Sequence, residues 1–219
     1  MRQHHRVRTW DLPVRAFHWL LVLLVLLQIT TASIGGNAME WHARGGYVIL
    51  ALLLFRVLWG FVGGTHARFA DFLRGPRAVI GYARALFAGS PAPHRGHNPL
   101  GGWSVMAMVV SLLLQASTGL FANDDVILEG PLAKHVSERT SAIATKIHDV
   151  NAVVLLSLVC LHIAAIVYYL AAKKQNLILP MITGRKEGDE ASAAHYGNPW
   201  LAACLAGACA VAVWLLVRS

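Results

Sequence analysis

Between Val150 and Ala172 the chain runs for 23 residues without an Asp, Glu, Lys or Arg. A helix of that length crosses the hydrocarbon core of a bilayer. Inside a bilayer only helices and closed barrels satisfy their own backbone. The stretch Ile147–Ala172 nevertheless carries two histidines, His148 and His162, fourteen residues apart. Fourteen helical steps fall about 40° short of four turns, so both rings leave roughly the same face, about 21 Å apart along the axis. One lies near one membrane surface and the other deep toward the opposite one. Ionisable groups inside a membrane are costly and mark function, so these two rings ask for partners from the rest of the chain.

The composition places those partners in a membrane too. Of 219 residues, 56% are hydrophobic and 14% charged, well below the charged share of soluble domains. The apolar residues are gathered into long runs, which reads as an all-α polytopic membrane protein. The net charge is +8, but the basic residues flank apolar runs and form no separate basic domain, which argues against nucleic acid. Cys160, Cys204 and Cys209 lie inside apolar runs. They form neither a Cys-x-x-Cys pair nor a Cys-x-x-Cys-His attachment motif, so covalent c-type haem and clustered iron–sulfur sites are excluded. Three buried small hydrophobes are expected instead. The first apolar run, 16–34, is too long for a cleavable signal and lacks an Ala-x-Ala site, so it reads as a permanent span.

Five spans are expected, at about 16–34, 42–62, 101–121, 150–172 and 199–217. The first four make a bundle within a unit over 1–186, and 187–219 is a linker with an additional helix. Pro13 suits a helix entry, Gly35-Gly36-Asn37 breaks span one, and Trp10 and Trp19 are placed as interfacial anchors. The 63–99 connection is hydrophilic; its middle, 76–87, sets Val79, Ile80, Ala83, Leu86 and Phe87 on one side, as in an interfacial helix on anionic lipid. Ser90-Pro-Ala-Pro reads as a turn. Span three holds Ser104, Ser111, Gln115, Ser117 and Thr118 but no histidine, and an acid-rich connection with Asp124 and Asp125 follows. Lys and Arg number four in the N-terminal segment, five in 63–99 and four in 173–198. The opposite side holds Arg44, Lys134, Arg139, Lys146 and Arg218. The positive-inside rule then sets the N-terminus in the cytoplasm and the C-terminus in the periplasm.

With that topology the histidines fall by depth into two levels. His42, at the mouth of span two, pairs with His148; His18, in the first turn of span one, pairs with His162. Each level has two imidazoles on different helices. A lone histidine here could be an interhelical hydrogen bonder, but four of them in two matched levels fit two porphyrins held between facing helices. Zinc wants three or four close ligands and two per level leave it short. Two imidazoles leave no open position on the iron, so such a site passes electrons. Arg56 stands fourteen residues after His42 and shares its face. A haem propionate, a carbonyl cluster, or snorkelling to the surface would each account for it. Arg15, one turn before His18, and Arg44 are candidate propionate partners at the two levels; both also suit positive-inside or interfacial positions. Of the remaining histidines, His4 and His5 lie in a basic tail and His66, His94, His97, His135 and His195 in loops. His66 and His97 are candidates to reach propionates or a quinone headgroup.

Several segments resemble the bacterial cytochrome b561 family, which is grouped with the b-type subunit of nickel–iron hydrogenases. They are Trp10-Asp11-Leu12-Pro13-Val14-Arg15-Ala16-Phe17-His18-Trp19, His42 ahead of Gly45-Gly46-Tyr47, Phe55-Arg56-Val57-Leu58-Trp59-Gly60-Phe61, His66-Ala67-Arg68-Phe69, Gly96-His97-Asn98-Pro99-Leu100-Gly101-Gly102-Trp103, Thr118-Gly119-Leu120-Phe121, and the His148/His162 pair. The match runs from about Arg8 to Lys186. The resemblance implies two non-covalent b haems on a four-helix core in a bacterial inner membrane and exchange of electrons with the quinone pool. Its ligand positions coincide with His18, His42, His148 and His162. Span five is a departure, since four-helix members lack it.

Three functions are compatible with these residues. One is a free-standing quinone-linked oxidoreductase. A second is a membrane-anchor subunit with no substrate of its own, serving a hydrogenase-like complex, a periplasmic c-type cytochrome or another redox protein. A third is a proton or ion transporter using the histidines as relays, which would bind no haem. The oligomeric state is open, a dimer included.

Overall fold

The computed structural model describes residues 5–89, 96–123, 128–188 and 195–218. The expected Ser90-Pro-Ala-Pro turn, His4, His94, Asp124 and Asp125 lie outside the described residues.

Five helices are long and apolar enough to cross a membrane: α1 (Leu12–Ile34), α2 (Met39–Val62), α5 (Pro99–Gly119), α6 (Glu138–Ala171) and α8 (Pro199–Leu216). Shorter helices α3 (Phe69–Phe72), α4 (Pro76–Phe87) and α7 (Ile178–Thr183) lie between them. Three of the long helices begin the same way. Asp11, Asn98 and Asn198 each accept a backbone N–H from two or three residues on, beside a proline in the first turn. The side chain satisfies a donor the helix cannot, and proline needs none there. At the other end of α1, Gly35 (φ 67°) and Gly36 (φ 55°) turn the chain through the left-handed region that glycine enters without penalty.

The chain goes back and forth, so the bundle has a proximal end, with the start of α1 and the end of α2, and a distal end, with the start of α2 and of α6. Helix α2 is the hub. It packs on α1, α5 and α8, and α6 packs on α5. Leu53 and Trp59 of α2 are fully buried. The fifth helix joins this core through Ala202 and Cys209.

Four features differ from the sequence expectations. Helix α6 begins at Glu138, twelve residues before the apolar run. Ser137 caps it, and its polar turns bond the loop after α5 through Ser141 to Phe121 O (2.8 Å) and Thr145 to Asn123 N (3.0 Å). Its 34 residues span about 51 Å, more than a bilayer core of about 30 Å. Helix α4 occupies 76–87, but its inward face centres on buried Tyr82, whose hydroxyl lies 2.9 Å from that of Tyr169 on α6, and Ile80 and Phe87 face out. Cys160 and Cys204 are exposed and only Cys209 is buried, because α6 and α8 each turn one side to lipid. Finally, β1 (His5–Arg8) pairs antiparallel with β2 (Arg185–Gly188), Arg8 opposite Arg185. Nothing in either polar tetrapeptide announces a partner some 180 residues away.

Candidate haem-binding sites in the bundle

At the distal end His42 stands on the first turns of α2 and His148 on α6. Their ring centroids are 6.2 Å apart with planes at 70°. Nδ1 of His42 lies 3.3 Å from Gln28 O and 3.4 Å from Thr31 Oγ1 on α1. Nδ1 of His148 lies 3.0 Å from Gln115 O and 3.3 Å from Thr118 Oγ1 on α5. Each ring is thus anchored by one nitrogen to the preceding long helix, and Nε2 is left for a ligand. Metal-bound histidines are held in this way by a carbonyl on the other nitrogen. Two metal–imidazole bonds of about 2 Å, with about 1 Å more from each nitrogen to its ring centre, give a centroid separation of about 6 Å, which is the spacing found.

The rings border a cavity of about 280 Å³ between α1, α2, α5 and α6, lined mainly by apolar residues. Gly46 and Gly119 both line it. A Cβ at Gly46 would meet nothing within 4 Å, and one at Gly119 would come within 3.1 Å of His148 Cε1. Both glycines keep room that a side chain would take, one for a flat group and one for the ligand ring. The cavity therefore fits a porphyrin held by two imidazoles. Among the described residues no group of three or more His, Cys, Asp or Glu gathers as a metal cluster would.

At the proximal end His18 on α1 and His162 on α6 are electrostatic neighbours. Nδ1 of His18 is buried and has no hydrogen-bond partner, unlike the distal rings; Trp19 packs edge-on against it at 5.0 Å. His97, just before α5, packs against Trp10 with ring centroids 4.7 Å apart and planes at 52°, and meets Phe72 edge-on at 5.1 Å. Burial, then the charges of Arg56, His162, His66 and His18, lowers its pKa to about 3. Trp10, placed from the sequence as an interfacial anchor, is half-buried and packs against His66 and His97. Next to it His66 Nδ1 and Asp71 Oδ2 are 3.0 Å apart.

Arg56 is 4% exposed, so it does not snorkel. Its guanidinium stands over Phe69 (5.0 Å) and Phe72 (5.9 Å), with one terminal nitrogen unpartnered and Asp11 as the favourable charge nearby. The other two arginines are engaged elsewhere. Arg15 donates to the Met181 and Ile182 carbonyls at the end of α7. Arg44 is exposed, pairs with Glu40 at 3.3 Å and stands over Trp41; it does not line the cavity.

Sequence reading missed the anchors of the distal rings. Their signal is a repeated Gln-x-x-Thr, Gln28-Ile-Thr-Thr31 and Gln115-Ala-Ser-Thr118, once on each helix facing a histidine helix. It also missed Asn151, whose amide donates to Gln115 Oε1 (2.7 Å) and Ser111 O (2.9 Å) and ties α6 to α5.

Comparison with known proteins identifies relatives of the chain by sequence. The prokaryotic cytochrome b561 family profile matches residues 9–184. The chain is similar to the probable Ni/Fe-hydrogenase B-type cytochrome subunit of Azotobacter chroococcum mcd 1, 26% identical over 217 residues, covering 84% of this chain and 90% of the relative. It is 29% identical over 146 residues to that of Azotobacter vinelandii, covering 54% of this chain and 60% of the relative. For that of Rhizobium leguminosarum bv. viciae the figures are 27% over 143 residues, with 53% and 59% covered. No solved structure matches the chain.

Proposed function

This chain belongs to the prokaryotic cytochrome b561 family, and we propose that it holds two haem b groups, a distal one between His42 and His148 and a proximal one between His18 and His162. Membership makes it a b-type cytochrome of electron transfer, and its five apolar helices make it a multi-pass bacterial membrane protein. Bound haem supplies a one-electron carrier, while the polypeptide sets ligation, dielectric and local charge.

The chain's own residues do the following. Gln28 O and Gln115 O orient the distal imidazoles, so that each offers Nε2 to the cavity. With two imidazoles holding one iron, a bound haem would carry electrons rather than bind oxygen. Mainly apolar walls from all four helices line the cavity and lower the dielectric around a bound group. At the proximal level Arg56 would be the cation for a propionate, because one of its terminal nitrogens is buried without a partner while Arg15 is already bound to the Met181 and Ile182 carbonyls. With the proximal end in the cytoplasm, as its basic loops favour, electrons pass along the bundle between the quinone pool and a redox partner. The observation that carries this reading is the 6.2 Å spacing of His42 and His148 with both Nδ1 atoms already anchored.

The test is haem content. The purified chain should give about two haems by the pyridine-haem assay. His42→Ala and His148→Ala should each lose the same spectral component, and His18→Ala and His162→Ala the other. Unchanged haem content in His148→Ala and His162→Ala would overturn the assignment.

A second reading draws on the relatives, which are named as hydrogenase cytochrome subunits. The chain would then anchor a redox complex and act on no substrate of its own. Quinol reducing the haems of the purified chain favours the first reading. Co-purification with a periplasmic redox protein, without quinol activity, favours the second.

A further inference from the structure

Helices α1 and α5 present the same local device to the two distal rings. In each, a threonine hydroxyl lies 2.7 Å from the carbonyl four residues back, Leu27 for Thr31 and Leu114 for Thr118. It also lies 3.2 Å from Gln28 O or 3.1 Å from Gln115 O. Both threonines are buried. A hydroxyl has one proton, and here it is given to the helix backbone. Toward the imidazole the oxygen can only accept, and so can the glutamine carbonyl beside it. Each Nδ1 therefore faces two acceptors, at 3.3 and 3.4 Å for His42 and 3.0 and 3.3 Å for His148. A nitrogen so placed carries the proton. Donor–acceptor counting fixes the Nδ1–H tautomer on both rings and leaves Nε2 as a bare lone pair.

The glutamine side chains brace the device from the other side. Gln28 Nε2 donates to His42 O at 3.0 Å. Gln115 Oε1 accepts from Asn151, one turn after His148. The proximal level lacks this arrangement at His18, whose Nδ1 has no partner.

Resting on the two-haem reading, we propose that Thr31 and Thr118 are twin positioning residues: each shares the Nδ1 proton of its histidine with a glutamine carbonyl, fixes the tautomer that can bind iron, and makes that imidazole a stronger electron donor. A more basic ligand favours the ferric state, so the pair holds the distal potential down.

Two measurements test this. The first uses haem-free protein in detergent with ¹⁵N-labelled histidine. His42 and His148 should show Nδ1–H in the wild-type chain, and Thr118→Val, which leaves Gln115 O as the one remaining acceptor at that nitrogen, should keep the tautomer but weaken the hydrogen bond, read as an upfield shift of the His148 Nδ1–H proton. The second is a redox titration of the haem-loaded chain. Thr31→Val and Thr118→Val should each raise the distal potential by about 59 mV, a tenfold change in ferric preference for a one-electron couple. The proximal step should stay in place, and Thr118→Ser, which keeps the hydroxyl, should restore the wild-type value. An Nε2–H tautomer in the wild-type chain, or valine variants whose titrations superimpose on wild type, overturns the proposal. A chain that binds fewer than two haems fails the two-haem reading instead, and the tautomer measurement still decides the clamp.

Discussion

Asp11 Oδ2 accepts the indole N–H of Trp59 at 3.1 Å, while Oδ1 of the same carboxylate caps α1 through Val14 N at 2.9 Å. One buried side chain thus starts the first helix and clamps it to the end of the second. Losing it removes a cap worth about 1 kcal/mol and strands a buried indole donor at about 1–3 kcal/mol. Asp11→Ala should therefore cost about 2–4 kcal/mol, read as a lower midpoint in thermal or denaturant unfolding in detergent. Asp11→Asn keeps an oxygen for the cap and should lose less.

The cavity glycines separate haem binding from folding. A leucine at Gly46 points into open space, so Gly46→Leu should fold as wild type by circular dichroism yet retain only one haem. Gly119→Ala sets a methyl 3.1 Å from His148 Cε1 and should weaken the distal haem about tenfold, the usual cost of disturbing a ligand's support. Two haems retained in Gly46→Leu would show that this cavity is not the distal site.

In the proposed two-haem arrangement Arg56 should give the two haems unequal potentials. A buried cation favours the reduced state, and the proximal level combines Arg56 with a His18 ring that lacks an acceptor at Nδ1. The proximal haem should therefore titrate at the higher potential. Arg56→Leu should lower that step by the equivalent of about 1–2 kcal/mol, the size of a charge interaction at an effective dielectric near 20 and separations of about 10 Å. The distal step should not move.

Acid should act through His97. Its pKa is lowered to about 3 by burial and then by the nearby charges, from the ordinary value of 6.5. Below pH 6.5 the unfolded chain takes up a proton that the folded chain refuses, so stability falls as pH falls from 6.5 toward 3. His97→Gln should flatten that part of the stability profile. A variant as acid-sensitive as wild type would place the sensitivity elsewhere.

The five long helices were legible because each carries an apolar run that announces itself locally. The proline entry at Pro13 and the Gly35-Gly36 stop are neighbouring residues acting on one another, and α4 falls on the expected 76–87. What escaped was non-local. The β1–β2 pairing, the packing of Trp10 on His97 and the bond from Tyr82 to Tyr169 each join segments whose own composition does not require the partner. The early start of α6 escaped for a related reason: a polar surface turn stays helical once Ser137 caps it and the loop after α5 bonds to it, whatever its hydropathy.

The depth of each histidine is a count along a helix axis, because the backbone fixes the rise per residue. The chain alone therefore assigns His42 and His148 to one end and His18 and His162 to the other. Which rings meet is a matter of rotation and of neighbours across the bundle, and side-chain packing between helices sets those. Only the assembled bundle brings His42 within 6.2 Å of His148, turns both Nδ1 atoms onto Gln-x-x-Thr carbonyls and hydroxyls, and buries Arg56 beneath Phe69 and Phe72.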